Sequence, residues 1–293
     1  MKITVYGQTI NKGFYQSIID FFEKLKKNKI EIYVFKTLYE FLLNELKFKP
    51  EIAGTFSEND EIDNDVDFMF SIGGDGTFLE TIHYVKKNNI PVVGINSGRL
   101  GFLADISSEE ISNAIDMILS KQYSIEERVL LELHTENNLF GRYNYALNEL
   151  TVHRKDTASM ITINAYFNNE YLNTYWADGL IISTPTGSTA YSLSVGGPIV
   201  IPNSQNFIIT PISPHNLTVR PIVVPDDNEI TLKVESRVKN YLVTLDFRSR
   251  IIEPSVELTI RKANFTVKVL KLNNQNYFKT LRNKLMWGAD KRN

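Results

Sequence analysis

The stretch SIGGDGTFLE, positions 71 to 80, follows the apolar run VDFMF and is followed by a helical pattern. Glycines at 73, 74 and 76 make the backbone pliable at the mouth of a predicted strand, and Asp75 stands among them. A strand that ends in such a turn and passes into a helix, predicted to begin near Thr77, commits this part of the chain to α/β architecture. The surroundings agree. KITVY, IEIYVF, DFMFSI and PVVGI read as strands, whereas FYQSIIDFFEKLKK, LYEFLLNEL, TFLETIHYVKKNN and SSEEISNAIDMILS carry apolar residues at three- and four-residue spacing. Serines opening the last of these suit a helix cap. Strands alternating with helices predict a mainly parallel, Rossmann-like sheet covered on both faces.

From about position 125 the pattern changes. VLLELHT, YNYALNELTVHR, ASMITINAYFN, LTVRPIVV, EITLKVE, NYLVTLDFR and VELTIRKA are rich in β-branched and aromatic residues. They predict a larger β-rich, sandwich-like domain. YFKTLRNKLMW returns to helical spacing at the end. The expected division is 1–122, 123–272 and a C-terminal segment 273–293, with an active site in the cleft between the two domains.

Composition narrows the function. A net charge of −2 and a pI near 6.1 supply no global basic field for nucleic acid. The cysteine count of 0 removes disulfides and thiolate metal sites. MKITVYGQTI has no secretory signal pattern, and no apolar run is long enough to span a membrane, so a cytoplasmic protein with no membrane or nucleic-acid partner is expected. SENDEIDNDVD, with its six carboxylates, reads as a solvated loop, with an acidic regulatory surface as the other reading.

A helix N-terminus offers unpaired amides and the positive end of a dipole, which suits phosphate. Asp75 opposes that field. It can accept a proton from a hydroxyl, hold Mg²⁺, or bond its own turn. The segment is neither GxxxxGK[ST] nor GxGxxG. A second stretch, ADGLIISTPTGSTAYSLSVGGPIV at 177 to 200, gathers hydroxyls and backbone donors in one turn, with a decorated β-turn as its plain alternative.

GGDGTFL, INSGRLGFLADI, LNEL, DGLIISTPTGSTAYSLSVGGP and ITPISPHNLTVRP, in this order, resemble the bacterial NAD kinase family over nearly the whole chain, through LRNKLMWGAD. The resemblance implies the two-domain fold, with the chain end packing back toward the first domain. It also implies transfer of the γ-phosphate of ATP, in some members polyphosphate, to the adenosine 2′-hydroxyl of NAD. Asp75 then resembles the catalytic proton acceptor. Gly73, Gly74 and Gly76 keep the backbone out of the way, Gly74 being counted with the ligand-binding residues, and Gly76 and Thr77 take turn or phosphate contacts. Asn148 and Glu149 match the pair that binds ribose hydroxyls, and Asp178 matches an aspartate that reads NAD; capping of the turn at Ala177 to Gly179 is its structural alternative. Thr189, Ala190, Tyr191, Ser192, Leu193 and Ser194 match the substrate-binding run. Phe102 is expected at the adenine pocket or in the core, and His215 near phosphate or in a structural hydrogen bond. No fixed metal site is expected. A divalent metal, Mg²⁺, enters with ATP, and a homodimer or homotetramer is implied.

One corner departs from the family. Where many relatives have a DGQ-like turn, this chain has Asp246, Phe247 and Arg248. Phe247 lacks glycine's freedom at positive φ. Arg248 is open to three readings: a ligand phosphate, an acidic group of a second subunit, or plain surface. A lipid kinase sharing the GGDGT turn and a catalytically silent dinucleotide sensor are the competing functions.

Overall fold

The computed structural model describes residues 1–86, 88–98, 101–155, 160–235 and 240–288. Lys87, Arg99, Leu100, Ala158, Ser159, Ala289 and Asp290, which belong to segments quoted above, lie outside these residues. The chain divides into two compact units, 1–127 with 267–293, and 128–266.

The first unit is built from β1 (Lys2–Gly7), α1 (Tyr15–Lys27), β2 (Glu31–Phe35), α2 (Lys36–Asn44), β3 (Gly54–Phe56), β4 (Phe68–Gly73), α3 (Asp75–Val85), β5 (Val92–Asn96) and α4 (Ile111–Leu119). Its strands run in the order β5-β4-β1-β2-β3, and every pairing among them is parallel. The apolar spacing seen in the sequence has a direct structural meaning. Ile18, Phe21, Phe22 and Leu25 of α1 and Ile111, Ala114, Ile115 and Ile118 of α4 face one shared core. Every residue of β4 is buried, as a strand flanked by β1 and β5 must be. The serine-rich start of α4 is held by Glu110, whose carboxylate accepts from the Ser107 backbone N–H and hydroxyl. The three-residue β3 was not foreseen.

The remaining strands are β6 (Tyr123–His134), β7 (Tyr145–Ala146), β8 (Glu149–Arg154), β9 (Ile161–Phe167), β10 (Glu170–Ala177), β11 (Gly179–Ser183), β12 (Asn206–Ile212), β13 (Ile222–Pro225), β14 (Ile230–Glu235), β15 (Tyr241–Leu245), β16 (Arg248–Ile252) and β17 (Leu258–Leu272). The short α5 (Tyr191–Ser194) lies between β11 and β12, and α6 (Tyr277–Leu285) follows β17. In the second unit, one antiparallel sheet runs β13-β12-β11-β8-β15-β16. A second antiparallel set runs β10-β9-β14 and on to the Leu258–Ile260 end of β17. Ile163, Leu232 and Ile260 from that set share a core with Val152, Ile182, Ile209 and Val243 from the six-stranded sheet, giving the expected sandwich. The last part of β17 belongs to the first unit, where Val269 pairs in parallel with Val92.

LTVRPIVV is a strand only from Ile222 onward. The Asn216 side chain accepts from the Thr218 N–H and hydroxyl, a turn that competes with strand pairing. β12 is not among the strands expected from the sequence, and it carries Pro211 within it. Pro211 is tolerated because β13 pairs only with residues 206–209, so no neighbour on that side needs its missing N–H.

Phe21 is fully buried and meets Phe22 and Phe70 edge-on. Phe21→Ala is expected to destabilise the first unit by about 3–5 kcal/mol, read as a lowered urea midpoint.

Candidate active site

The strand order of the first unit reverses at β1 and β4, and the glycine turn leaves the carboxyl end of β4 at that reversal. Open α/β sheets bind ligands at this position. The helix starts earlier than the sequence implied, with Gly74 as its N-cap and Asp75 as its first residue. Positive φ is not the reason for the glycines: among the described residues, only Gly141, Gly196 and Gly288 are glycines with positive φ. Gly73 is needed because a Cβ there would strike the Thr77 side chain. Gly74 and Gly76 have open space where a Cβ would go, so the protein itself requires glycine at neither.

Asp75 is held by a segment 27 to 29 residues further along the chain. Its Oδ2 accepts from the Phe102 N–H at 2.9 Å, and its Oδ1 from the Leu103 and Ala104 N–H groups at 3.0 Å each. Gly101 makes this approach possible, because a Cβ at that position would collide with Asp75 Oδ1. The Asp75 side chain nevertheless stays 30% exposed. Phe102 is half-buried, so its ring is neither a core residue nor fully free. Lys284 of α6 lies over that ring at 4.3 Å and places its Nζ 3.5 Å from Asp75 Oδ2.

In the second unit, neighbouring strands bring three chain segments to one end of the six-stranded sheet. Glu149 begins β8 opposite Ser183, the last residue of β11, and Leu150 pairs with Leu245, the last residue of β15. The Asn148–Glu149 pair, the turn after Ser183 and the turn after Leu245 therefore meet. Thr184 ties the first two: its N–H donates to the Asn148 carbonyl at 2.9 Å and its hydroxyl to the Leu147 carbonyl at 2.5 Å. Gly187 has no Cβ to keep it from the Asn148 carbonyl. Tyr191 and Ser194 are exposed, Thr189, Ala190 and Leu193 half-buried. Ser192 is different, being fully buried with its hydroxyl 3.0 Å from that of Thr210, so it shapes the segment from within.

The turn after β15 explains the departure noted in the sequence. The left-handed residue is Asp246, at φ 54°, while Phe247 is not among the positive-φ residues and is exposed. The buried Asp246 carboxylate accepts from the N–H groups of Leu147, Asn148 and Glu149 at 2.9, 2.8 and 3.2 Å. Arg248 is no plain surface residue. It donates to the Tyr143 carbonyl at 2.9 Å and the Tyr145 carbonyl at 2.5 Å, with its guanidinium 4.9 Å from the centre of the Tyr145 ring. Burial pushes the Glu149 carboxyl up to about 8; the Asp246 charge adds to the rise and the Tyr191 N–H opposes it. Burial pushes Asp246 up as well, against its amide donors and Arg248. Glu149 Oε2 is buried with no hydrogen-bond partner.

Asp178 is not with this group. It precedes β11 and lies at the other end of that strand, roughly 17 Å away at about 3.3 Å per residue. There it pairs with Arg154 at 2.9 Å, the last residue of β8. His215 sits at the same end, beyond β12, exposed, with its ring 4.3 Å from that of Trp176 and its backbone N–H donating to the Trp176 carbonyl. Gly101, Arg154 and Lys284 were missed in the sequence. Each matters through a contact distant along the chain, and no local spacing signals it. Among the described residues, no group of three or more His, Asp or Glu is arranged to hold a metal ion.

Residues 5–123 match the family model described as the ATP-NAD kinase N-terminal domain, and 147–272 the one described as the ATP-NAD kinase C-terminal domain. An NAD kinase of Flavobacterium johnsoniae is 47% identical over 295 residues, covering 100% of both chains. One of Bacteroides fragilis is 47% identical over 292 residues, also with 100% coverage of both. Among solved structures, an Archaeoglobus fulgidus NAD kinase in complex with ATP superposes with a TM-score of 0.75 at 26% identity, covering 98% of this chain and 99% of that one. Yeast NADH kinase complexed with NADH reaches 0.85 at 21% identity, with 99% and 88% covered, a likeness of fold.

The Glu149 shift has a definite sign. A folded-state value near 8, above the ordinary carboxylate value, means the folded chain binds this proton more tightly than the unfolded one. Its contribution to stability is complete below the ordinary carboxylate range and is lost as pH rises through about 8. Ligand-free protein is expected to lose stability across that window by up to about 1.4 kcal/mol per pH unit, and Glu149→Gln to flatten the slope. Urea titrations at a series of pH values measure both.

Proposed function

The chain belongs to the ATP-NAD kinase family, and we propose that it transfers the γ-phosphate of ATP to the adenosine 2′-hydroxyl of NAD, giving NADP and ADP. One observation carries the site assignment: a carboxylate fixed by three backbone amides stands at the N-terminus of α3, between two glycines that the protein does not itself require.

In this reading Asp75 accepts the hydroxyl proton as the oxygen attacks. A carboxylate is far too weak a base to remove that proton beforehand, so proton transfer accompanies phosphoryl transfer, and most of the rate comes from alignment and charge stabilisation. The α3 amides at Gly76 and Thr77 face phosphate. Asn148 and Glu149 bind ribose hydroxyls, with Glu149 Oε2 as an acceptor already desolvated and unpaired. Thr189, Ala190, Tyr191, Leu193 and Ser194 border the dinucleotide, with Ser192 supporting them. Phe102 contacts adenine, and Asp178 and His215 recognise the more distant parts of the ligand. Mg²⁺ enters with the phosphates of ATP, as a hard cation held by oxygens and water. A cytoplasmic homodimer or homotetramer completes the proposal. The apolar edge strand β13, with Ile222 and Val223 exposed, supports association, and sedimentation velocity over a concentration series tests it.

Purified protein given NAD, ATP and Mg²⁺ is expected to form NADP; transfer to a lipid alcohol, or NAD binding without any product, would overturn the assignment. Asp75→Asn is expected to fold and bind NAD while single-turnover transfer falls by about 10²–10⁴-fold. Near-normal transfer by the folded variant would remove Asp75 from the chemistry. Asp178→Asn is expected to weaken NAD binding by about 10- to 100-fold and leave ATP binding intact, as separate titrations would show. Equal loss for both ligands with lowered thermal stability would make the Arg154 pair purely structural.

A further inference from the structure

The helix α6 is firmly placed. The Asn276 side chain caps it by accepting from the Phe278 N–H at 2.9 Å, and Leu281 is buried. The segment before it is fixed too, with Lys271 paired to Asp105 at 2.5 Å. Lys284 follows Leu281 by three residues, one helical turn on, so burying Leu281 aims Lys284 at Asp75.

An ionised carboxylate offers about four lone-pair positions. The three amides of residues 102–104 fill three of those on Asp75, and they are fixed by the backbone. Lys284 faces the remaining one on Oδ2. Its 3.5 Å separation is well outside the roughly 2.7–2.9 Å of a tight charge-assisted bond, and its side chain is 30% exposed. The Phe102 ring also attracts the ammonium, which lies over it. A hydroxyl that gives its proton to Asp75 has to take the position Lys284 occupies. The amides cannot yield it; the lysine can.

Resting on the kinase reading above, we propose that Lys284 is a catalytic residue: it gives up Asp75 Oδ2 to the NAD 2′-hydroxyl and contacts the transferring phosphoryl group. The hydroxyl oxygen forms its bond to the γ-phosphorus while its proton passes to Asp75 Oδ2. The bond from that phosphorus to the bridging oxygen breaks, and ADP leaves with the electron pair. The ammonium meets the charge on the equatorial oxygens as the group moves.

The test compares Lys284→Met and Lys284→Arg with the unsubstituted protein, each alone and in the Asp75→Asn background. Single-turnover transfer is measured at saturating NAD and MgATP, alongside NAD titration and thermal melting. Lys284→Met is expected to slow transfer by about 10²–10³-fold, with NAD affinity and melting temperature unchanged, and Lys284→Arg to recover at least a tenfold part of the loss. In the Asp75→Asn background, Lys284→Met should slow transfer by at least a further tenfold, because a lysine that served only to aim Asp75 would have nothing left to aim. A rate within threefold of the unsubstituted protein, or no further loss in that background, overturns the role of Lys284. So does a loss matched by equal losses in melting temperature and NAD binding. An unsubstituted protein that forms no NADP overturns the kinase reading and this proposal together.

Discussion

Three consecutive backbone N–H groups gripping one aspartate is the interaction on which both halves of the candidate machinery depend. Among the described residues it is found in each unit: residues 102–104 on Asp75, and residues 147–149 on Asp246. Successive amides that converge on one point form a concave anion site, and here the anion is supplied by the chain itself. In each case the grip joins segments far apart in sequence. A glycine turn is thereby fixed to the segment after β5, and a hairpin turn to the Asn148–Glu149 pair.

The same bonding gives different properties because the exposures differ. The Asp246 side chain is 1% exposed and sits in a left-handed backbone position. It cannot exchange partners with a ligand, and its effect is to aim the peptide units that carry Asn148 and Glu149. Its charge also acts on Glu149, whose buried carboxyl is held up partly by that neighbour. Under the proposed role, a ribose hydroxyl donating to Glu149 favours the ionised form and so links binding to proton release.

Much of this was legible in the sequence because it is local. Apolar spacing in FYQSIIDFFEKLKK and SSEEISNAIDMILS marks the faces that α1 and α4 bury, and the glycine turn lies where strand and helix patterns meet. The motif residues stood out for the same reason, each run being contiguous. What remained hidden depends on separation in the chain. Gly101 reads as any glycine until Asp75 is packed against it, and Arg154 as a strand-end cation until it meets Asp178. At Asp246 to Arg248 the sequence revealed a departure without its consequence. The strain expected at Phe247 is absent because Asp246 takes the left-handed position, and Arg248 turns inward to the Tyr143 and Tyr145 carbonyls.

The amide grip also bears on why the glycine turn contains an aspartate at all. A free carboxylate in the first turn of α3 would be drawn toward the positive end of the helix and compete there with any external anion. Residues 102–104 prevent this by drawing both Asp75 oxygens onto a separate segment, through a gap that only glycine at 101 leaves open. The helix amides are thereby left for an external anion, and the carboxylate is left beside them with one face toward solvent. In the proposed reading, attraction for phosphate and a proton acceptor coexist in four residues because the acceptor is restrained from elsewhere in the fold.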